Sequence, residues 1–574
     1  SQIAIPEIQR PFVWKGEEVR ALIDSLYEGY PIGYLIVWQN SQVRVRGFGK
    51  GGTKKILIDG QQRVTALMAA LLGKEVLDEQ YQSCRIRIAF NPLAQTGDER
   101  FAVCDEKHEQ DSKWIPDISI FFRRDFSFRQ FEKEYKEANP GEDFTPLEES
   151  VDTLKEIIKH QVGVIELSFL LDIDVVSEIF IRINLQGKPL NQEDFVMSKI
   201  SVNEEYGGDY IRNCIDYFCH LLREPSFYQV LQQNETDFFN SEYGQAVAWC
   251  QNGEKNLYIP SYADVLKVVL ISYFGKVRIG DLVHLLSGRT GEKKGLTKKE
   301  ISKKLSEESF EKLGAGVKAF VCEKNFKGFQ KALKKAGYCC SRLLYSQSVL
   351  NYCYAMYLLM DRQGIGEEEK ESLLARWMTM VMLTGHYQSG GEGTVLKDYA
   401  NATEEGFASY LAQIEELKLT EEFYDSILPD KFASTTARTA PFLVYVATQC
   451  ARGVHSLYSD VTIEELYKNK TESYQILPKT YLAKCGYKTR EIYGQVANLT
   501  YISKETKDIV KRKAPADYRE KLEEVIGREA ITASLQENGL TEKIFTAGEK
   551  DVTKILADRR KQMALEIKEF YKTL

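Results

Sequence analysis

The chain has 574 residues, 43% hydrophobic and 28% charged, which implies a packed globular protein of three or four domains. Its formal net charge of −7 excludes a general nucleic-acid coat, and no apolar run reaches the roughly eighteen residues that a membrane span needs. Eleven scattered cysteines include no Cys-x-x-Cys pair, so reduced thiols are expected and no metal site. With no secretory apolar stretch at the start, a cytoplasmic protein is expected.

Residues 1–90 alternate short strands and helices. Over 16–29 the apolar positions Val19, Leu22, Ile23 and Leu26 share one face, acids fill the first turn and Gly29 ends the run, which predicts a helix. Residues 31–38 then read as a buried strand. The glycine-rich stretch 47–55 lacks the spacing of a phosphate loop and precedes a strand, so it reads as a hairpin connection. Residues 55–59 are the next strand, and 85–90 alternate as another. Residues 91–160 are charged and irregular, with helical pieces near 127–137 and 147–160; 161–169 is strand-like. Asn191 is a good N-cap for a helix reaching about Ile200. From about 205 to 420 the pattern is nearly all helical, as in 262–273, 349–360 and 368–383, with an exposed linker at 287–295.

The most informative stretch is Ile56-Leu57-Ile58-Asp59-Gly60-Gln61-Gln62-Arg63-Val64-Thr65. An apolar strand ends in an acid and a glycine, and a helical pattern begins beyond two amides and an arginine. A helix start offers unpaired amide hydrogens and partial positive charge to a phosphate. Gly60 permits a tight turn and close approach, and Arg63 could add forked donors. Asp59 could hold a metal or a water. The same residues also fit a plain helix start in which Arg63 pairs with Asp59.

Four ordered blocks, Ile5–Trp14, Leu26–Gly33, Asp59–Arg63 and Phe180–Leu190, resemble the N-terminal domain of the GmrSD-type modification-dependent restriction enzymes, a ParB/sulfiredoxin-like domain. The resemblance covers about residues 1–200. It implies binding or hydrolysis of a nucleoside triphosphate, with or without Mg2+. It assigns catalysis to Asp59, Gln61, Gln62 and Arg63, and nucleotide contact to Gln9, Arg10, Gly60, Thr65 and Asn184.

Residues 431–574 hold 25 Lys and Arg against 19 Asp and Glu, a net of +6, whereas the preceding 430 residues hold 51 against 64, a net of −13. This basic segment resembles the same family's second domain, of the HNH nuclease type, through Tyr474–Lys479, Val496–Lys507 and Lys513–Tyr518. The match fails at the chemistry. The family has a histidine where this chain has Gln475, an acid where it has Tyr474 and an asparagine where it has Lys507; Asn498 survives. Glutamine cannot serve as the base that deprotonates water, and lysine repels a cation. None of the six histidines lies in the motif. A surface that binds without cutting is therefore expected, with Lys479, Asn498, Lys507, Lys511, Arg512 and Lys513 as DNA contacts.

The expected fold is multidomain and helix-dominated. An α+β ParB/sulfiredoxin-like domain spans 1–200, an all-α linking domain 201–430, and a mostly α, degenerate HNH-like domain with one hairpin near 474–502 spans 431–574. The expected protein is a nucleotide-binding, triphosphate-hydrolysing bacterial defence protein that grips phage or modified DNA, or a protein partner, or a second copy of itself. An active nuclease with unorthodox residues and a non-enzymatic interaction protein with vestigial sites are the alternatives.

Overall fold

A computed structural model of the chain describes residues 3–4, 12, 14–40, 54–77, 83–95, 97–168, 170–171, 175, 179, 192–201, 203–288, 298–548 and 550–574. Most of the first and fourth sequence blocks, with Gln9, Arg10 and Asn184, lies outside these residues, as do the stretch 41–53 and Asn191. The chain falls into two compact units, Ser1–Gly253 with Leu282–Phe310, and Glu254–Asp281 with Glu311–Leu574. Helices dominate throughout.

The first unit holds a four-stranded mixed sheet of order β1-β3-β2-β8, built from β1 (Ile3–Ala4), β2 (Tyr34–Asn40), β3 (Lys54–Asp59) and β8 (Gly163–Leu167). β2 is antiparallel to β3 and parallel to β8, and β1 is parallel to β3. Two further short antiparallel pairs join β4 (Val76–Leu77) to β5 (Ser83–Cys84) and β6 (Ile88–Phe90) to β7 (Phe101–Val103). The strand expected over 85–90 keeps only its second half. Arg85 instead turns its guanidinium onto the Ala69 carbonyl at 2.7 Å and the Asp117 carboxylate at 2.6 Å. This part-buried, charge-assisted contact holds Arg85 outside the strand ladder.

Helix α1 (Gly16–Tyr27) forms as its pattern dictates. Glu18 accepts from the Lys15 N–H at 2.9 Å, and Val19, Leu22, Ile23 and Leu26 are buried. Helix α2 (Gln61–Leu72) starts from Gly60 and stops at Gly73, both left-handed. Its buried Ala66, Ala69 and Ala70 let it approach its neighbours closely. These helices share a core with Phe90, Phe101, Ile118, Phe121 and the helix Leu147–Glu156. That core anchors α2, the element that follows the β3–α2 turn.

In the second unit the helices Gln347–Arg362, Glu367–Thr384 and Ala440–Ala451 are buried almost all round, and Tyr352, Tyr354 and Tyr357 are core residues. A helix apolar on every face belongs in the middle of a bundle. The hairpin expected near 474–502 is present as β9 (Tyr474–Gln475) antiparallel to β10 (Leu499–Thr500). Around it pack Leu457, Leu477, Leu482, Val510, Tyr518, Leu522 and Leu556.

Candidate functional site

Asp59 ends β3 where it faces Ile36 of β2, and Gly60 turns the chain with φ +95° into α2. Glycine at this N-cap has no side chain with which to cover the first-turn amides. A Cβ here would also stand 2.3 Å from a Leu35 methyl, so only glycine fits.

Arg63, one helical turn on, folds back over this bend. Its Nη2 donates to Asp59 Oδ2 at 2.8 Å, and its Nη1 donates to the Ile32 carbonyl at 2.8 Å. The pair is mostly buried, with side chains 18% and 23% exposed. The Asp59–Arg63 pairing is thus real, and the arginine is held firmly in one place. A guanidinium has five N–H donors, so two such bonds leave three for a ligand.

The two amides behave differently from simple ligand donors. Gln61 Nε2 donates to the Leu57 carbonyl at 3.2 Å, which ties it to the end of its own strand. Gln62 is buried at 9% exposure, and Thr65 is half-buried in the first turns of α2. Asp59 is a single carboxylate, and no group of three or more His, Cys, Asp or Glu side chains suited to a metal occurs among the described residues. One carboxylate fits Mg2+ only when phosphate oxygens and waters supply the other ligands.

The block Pro31-Ile32-Gly33 was visible in the sequence without a role. It supplies the Ile32 carbonyl to Arg63 from 31 residues away. A glycine with φ +86°, Gly33, directly follows that carbonyl; the glycine is visible in the sequence, but its contact with Arg63 is not.

At the C-terminal hairpin the surviving motif residue is internal. Asn498 is 0% exposed; its Oδ1 accepts from Leu477 N–H at 2.9 Å and its Nδ2 donates to the Leu477 and Tyr493 carbonyls at 2.9 and 3.0 Å. The expected DNA contact at Asn498 is therefore corrected. Its amide is saturated by backbone, so it braces the β9–β10 connection and a duplex outside cannot reach it. Gln475 is committed likewise, donating to the Tyr493 carbonyl at 3.1 Å and accepting from Lys479 N–H at 3.2 Å. No base or metal ligand remains on this strand.

The cations differ. Lys479, Lys507, Lys511, Arg512 and Lys513 are exposed and have no ion-pair partner among the described residues. Lys479 Nζ sits 4.9 Å from the Tyr493 ring centre. Lys507 lies on the helix Lys504–Val510, and Lys511 and Arg512 follow it in left-handed conformation with φ +42° and +57°. Arg512 lies against Tyr474: burial pushes that hydroxyl up to about 12, and the arginine opposes the rise. Lys479 and Arg512 thereby both adjoin the short strand β9.

No helix among the described residues is long and apolar enough to cross a membrane. No curated protein matches the chain. Residues 1–201 match the family model described as GmrSD restriction endonuclease, N-terminal domain, a span that contains the β3–α2 turn and its arginine. Residues 1–201 are therefore similar to the N-terminal domain of the GmrSD-type restriction enzymes, a likeness that points to restriction-type antiphage defence.

Proposed function

We propose that this protein is a nucleotide-responsive defence protein whose N-terminal domain binds and hydrolyses a nucleoside triphosphate at the β3–α2 turn. Its basic C-terminal surface holds duplex DNA without cutting it. The observation that carries the first half is the uncapped start of α2 with Arg63 fixed at its mouth. Amide hydrogens, partial positive charge and a pre-oriented guanidinium suit a polyphosphate, whose charge they meet without rearrangement. Asp59 neutralises the arginine when no ligand is present, and its second oxygen is the group that would orient a water or share a phosphate-bound Mg2+. Gly60 supplies the close approach. Gln61 and Gln62 support the bend. Gln9, Arg10, Thr65 and Asn184 remain nucleotide contacts by family resemblance alone.

The second half rests on exposed cations, without ion-pair partners among the described residues, beside a hairpin whose motif positions hold Tyr474, Gln475 and Lys507. Phosphate contacts need only such charges, whereas strand cleavage needs a base and a metal. The commitment of Asp59 to Arg63 favours one second reading, nucleotide binding without turnover.

The test is triphosphate hydrolysis and binding by the full chain, alone and as Asp59→Ala and Arg63→Ala. Loss of a transition-state donor lowers turnover by about a hundredfold or more, which is the expected result for Arg63→Ala. Unchanged turnover in both variants removes the site. Binding without turnover in the wild-type chain selects the second reading.

A further inference from the structure

The Arg63 guanidinium occupies a slot between two glycine α-carbons that come from separate parts of the chain. A Cβ on Gly33 would stand 2.6 Å from Nη1 and 3.7 Å from Cζ; a Cβ on Gly60 would stand 3.4 Å from Nη2 and 3.6 Å from Cζ. Both glycines have positive φ, +86° and +95°. The acceptors sit beside the same two glycines. Ile32 precedes Gly33 and takes Nη1, and Asp59 precedes Gly60 and takes Nη2. Each half of the slot is thus one carbonyl or carboxylate acceptor followed by one glycine.

We infer that Gly33 is a positioning residue of the nucleotide site: by leaving room for Nη1 against the Ile32 carbonyl, it fixes the plane of the Arg63 guanidinium toward the start of α2. The inference rests on the triphosphate reading above. An arginine side chain is long and samples many rotamers in water. Holding its fork in advance removes that disorder from the binding and reaction steps. Gly60 alone cannot do this, because it touches the guanidinium from one side. A methyl group at position 33 would occupy space that Nη1 now fills. It would push the fork off the carbonyl and strain the backbone at position 33, whose φ is +86°, while the α2 amides, Gly60 and Asp59 lie on a separate segment of the chain. The phosphate would keep its helix-terminal seat and lose its oriented cation.

The experiment uses the full chain with ATP and GTP, each with Mg2+, as probes. Gly33→Ala is expected to lower kcat by about the hundredfold expected of Arg63→Ala, with a smaller change in KM, because the α2 amides remain. A readout specific to the slot is chemical rescue. Free guanidinium ion, below denaturing concentration, is expected to restore at least part of the turnover of Arg63→Ala. It should fail with Arg63→Ala/Gly33→Ala, in which the methyl fills the slot. Wild-type kinetics in Gly33→Ala, or equal rescue of the single and double variants, overturns the inference.

If wild-type chain neither binds nor hydrolyses either nucleotide, the triphosphate reading falls, and Gly33 has no nucleotide site to position. If Arg63→Ala is inactive while Gly33→Ala is fully active, the reading stands and the positioning role falls. Should Gly33→Ala fold poorly, the double variant decides. Removing the guanidinium removes the atom that the methyl meets, so the stability losses of Gly33→Ala and Arg63→Ala are expected to sum to more than the loss in the double variant, the positive-φ strain at position 33 being common to both variants that carry it. Fully additive losses overturn the slot.

Discussion

At the scale of single residues, the C-terminal segment shows how a motif can survive in part for reasons of folding. Asn498 persists beside Tyr474, Gln475 and Lys507, and each of its amide groups is spent on backbone. An alanine there would strand the Leu477 carbonyl and N–H in a buried place and leave the Tyr493 carbonyl to Gln475 alone, so lost activity in such a variant would report on folding before chemistry. A second buried group makes a sharper prediction. Glu566 is 6% exposed on the helix Val552–Tyr571, and burial pushes its carboxyl up to about 7 from an ordinary 4.5, against the pull of Arg452 and Arg559. Arg559 cannot turn fully to it, because its Nη1 already donates to the Ala497 and Leu499 carbonyls at 2.6 and 2.8 Å. The folded chain therefore binds a proton at Glu566 that the unfolded chain has released. Stability from this group is complete below about pH 4.5, falls as pH rises toward 7, and is lost above it, a change of about 3 kcal/mol. Glu566→Gln keeps the shape and cannot ionise. Its urea midpoint should exceed that of the wild-type chain at pH 8 and should not do so at pH 5. Parallel wild-type and variant profiles across that range would rule out the carboxyl as their source.

Among the elements, the basic turn after the helix Lys504–Val510 carries a visible cost. Lys511 and Arg512 both take left-handed backbone, which disfavours side chains with a Cβ by roughly 1 kcal/mol each. Glycine would relieve that strain, yet cations stand there. Lys511→Gly is expected to gain about 1 kcal/mol of stability and to weaken duplex binding, with the salt slope falling by about one unit. Unfolding curves and salt titrations of the same sample check both. A more stable variant with unaltered DNA affinity would show that the turn makes no phosphate contact. The helix of this turn was readable only as a basic cluster, since left-handed lysine and arginine leave no sequence signature. The face of α1 was plainer, because acids, apolar spacing and a terminal glycine all agree over 16–29. The same holds for Asp59 and Arg63: four residues apart across a helix start, they can meet by local geometry alone. The Ile32 carbonyl and the Gly33 slot depend on a separate segment reaching that turn, and local spacing carries no trace of such a contact. Arg85 escaped for a similar reason, because its partners Ala69 and Asp117 lie 16 and 32 residues away.

Taken over the whole molecule, charge is divided unequally: net −13 over residues 1–430 and net +6 over 431–574. The acidic majority repels a polyanion at long range, so the proposed duplex binding requires a local concentration of cations. Five exposed side chains without an ion-pair partner among the described residues, Lys479, Lys507, Lys511, Arg512 and Lys513, would meet that need, and two of them adjoin β9. If all five neutralise phosphates, the logarithm of the binding constant should fall against the logarithm of salt with a slope of about −4.5. Raising salt from about 50 to 200 mM would then weaken binding by roughly 500-fold. Base identity should matter little, because none of these residues sits in a pattern that reads base edges. Added Mg2+ or Mn2+ should compete as counterions and leave the duplex uncut, since neither Gln475 nor Lys507 can supply a base or hold the metal. Fluorescence anisotropy with a labelled duplex, followed by gel analysis of the same mixtures, tests both statements at once. A slope near zero removes the DNA surface. Metal-dependent cleavage with the expected slope would keep the surface and overturn the claim that the hairpin is catalytically silent.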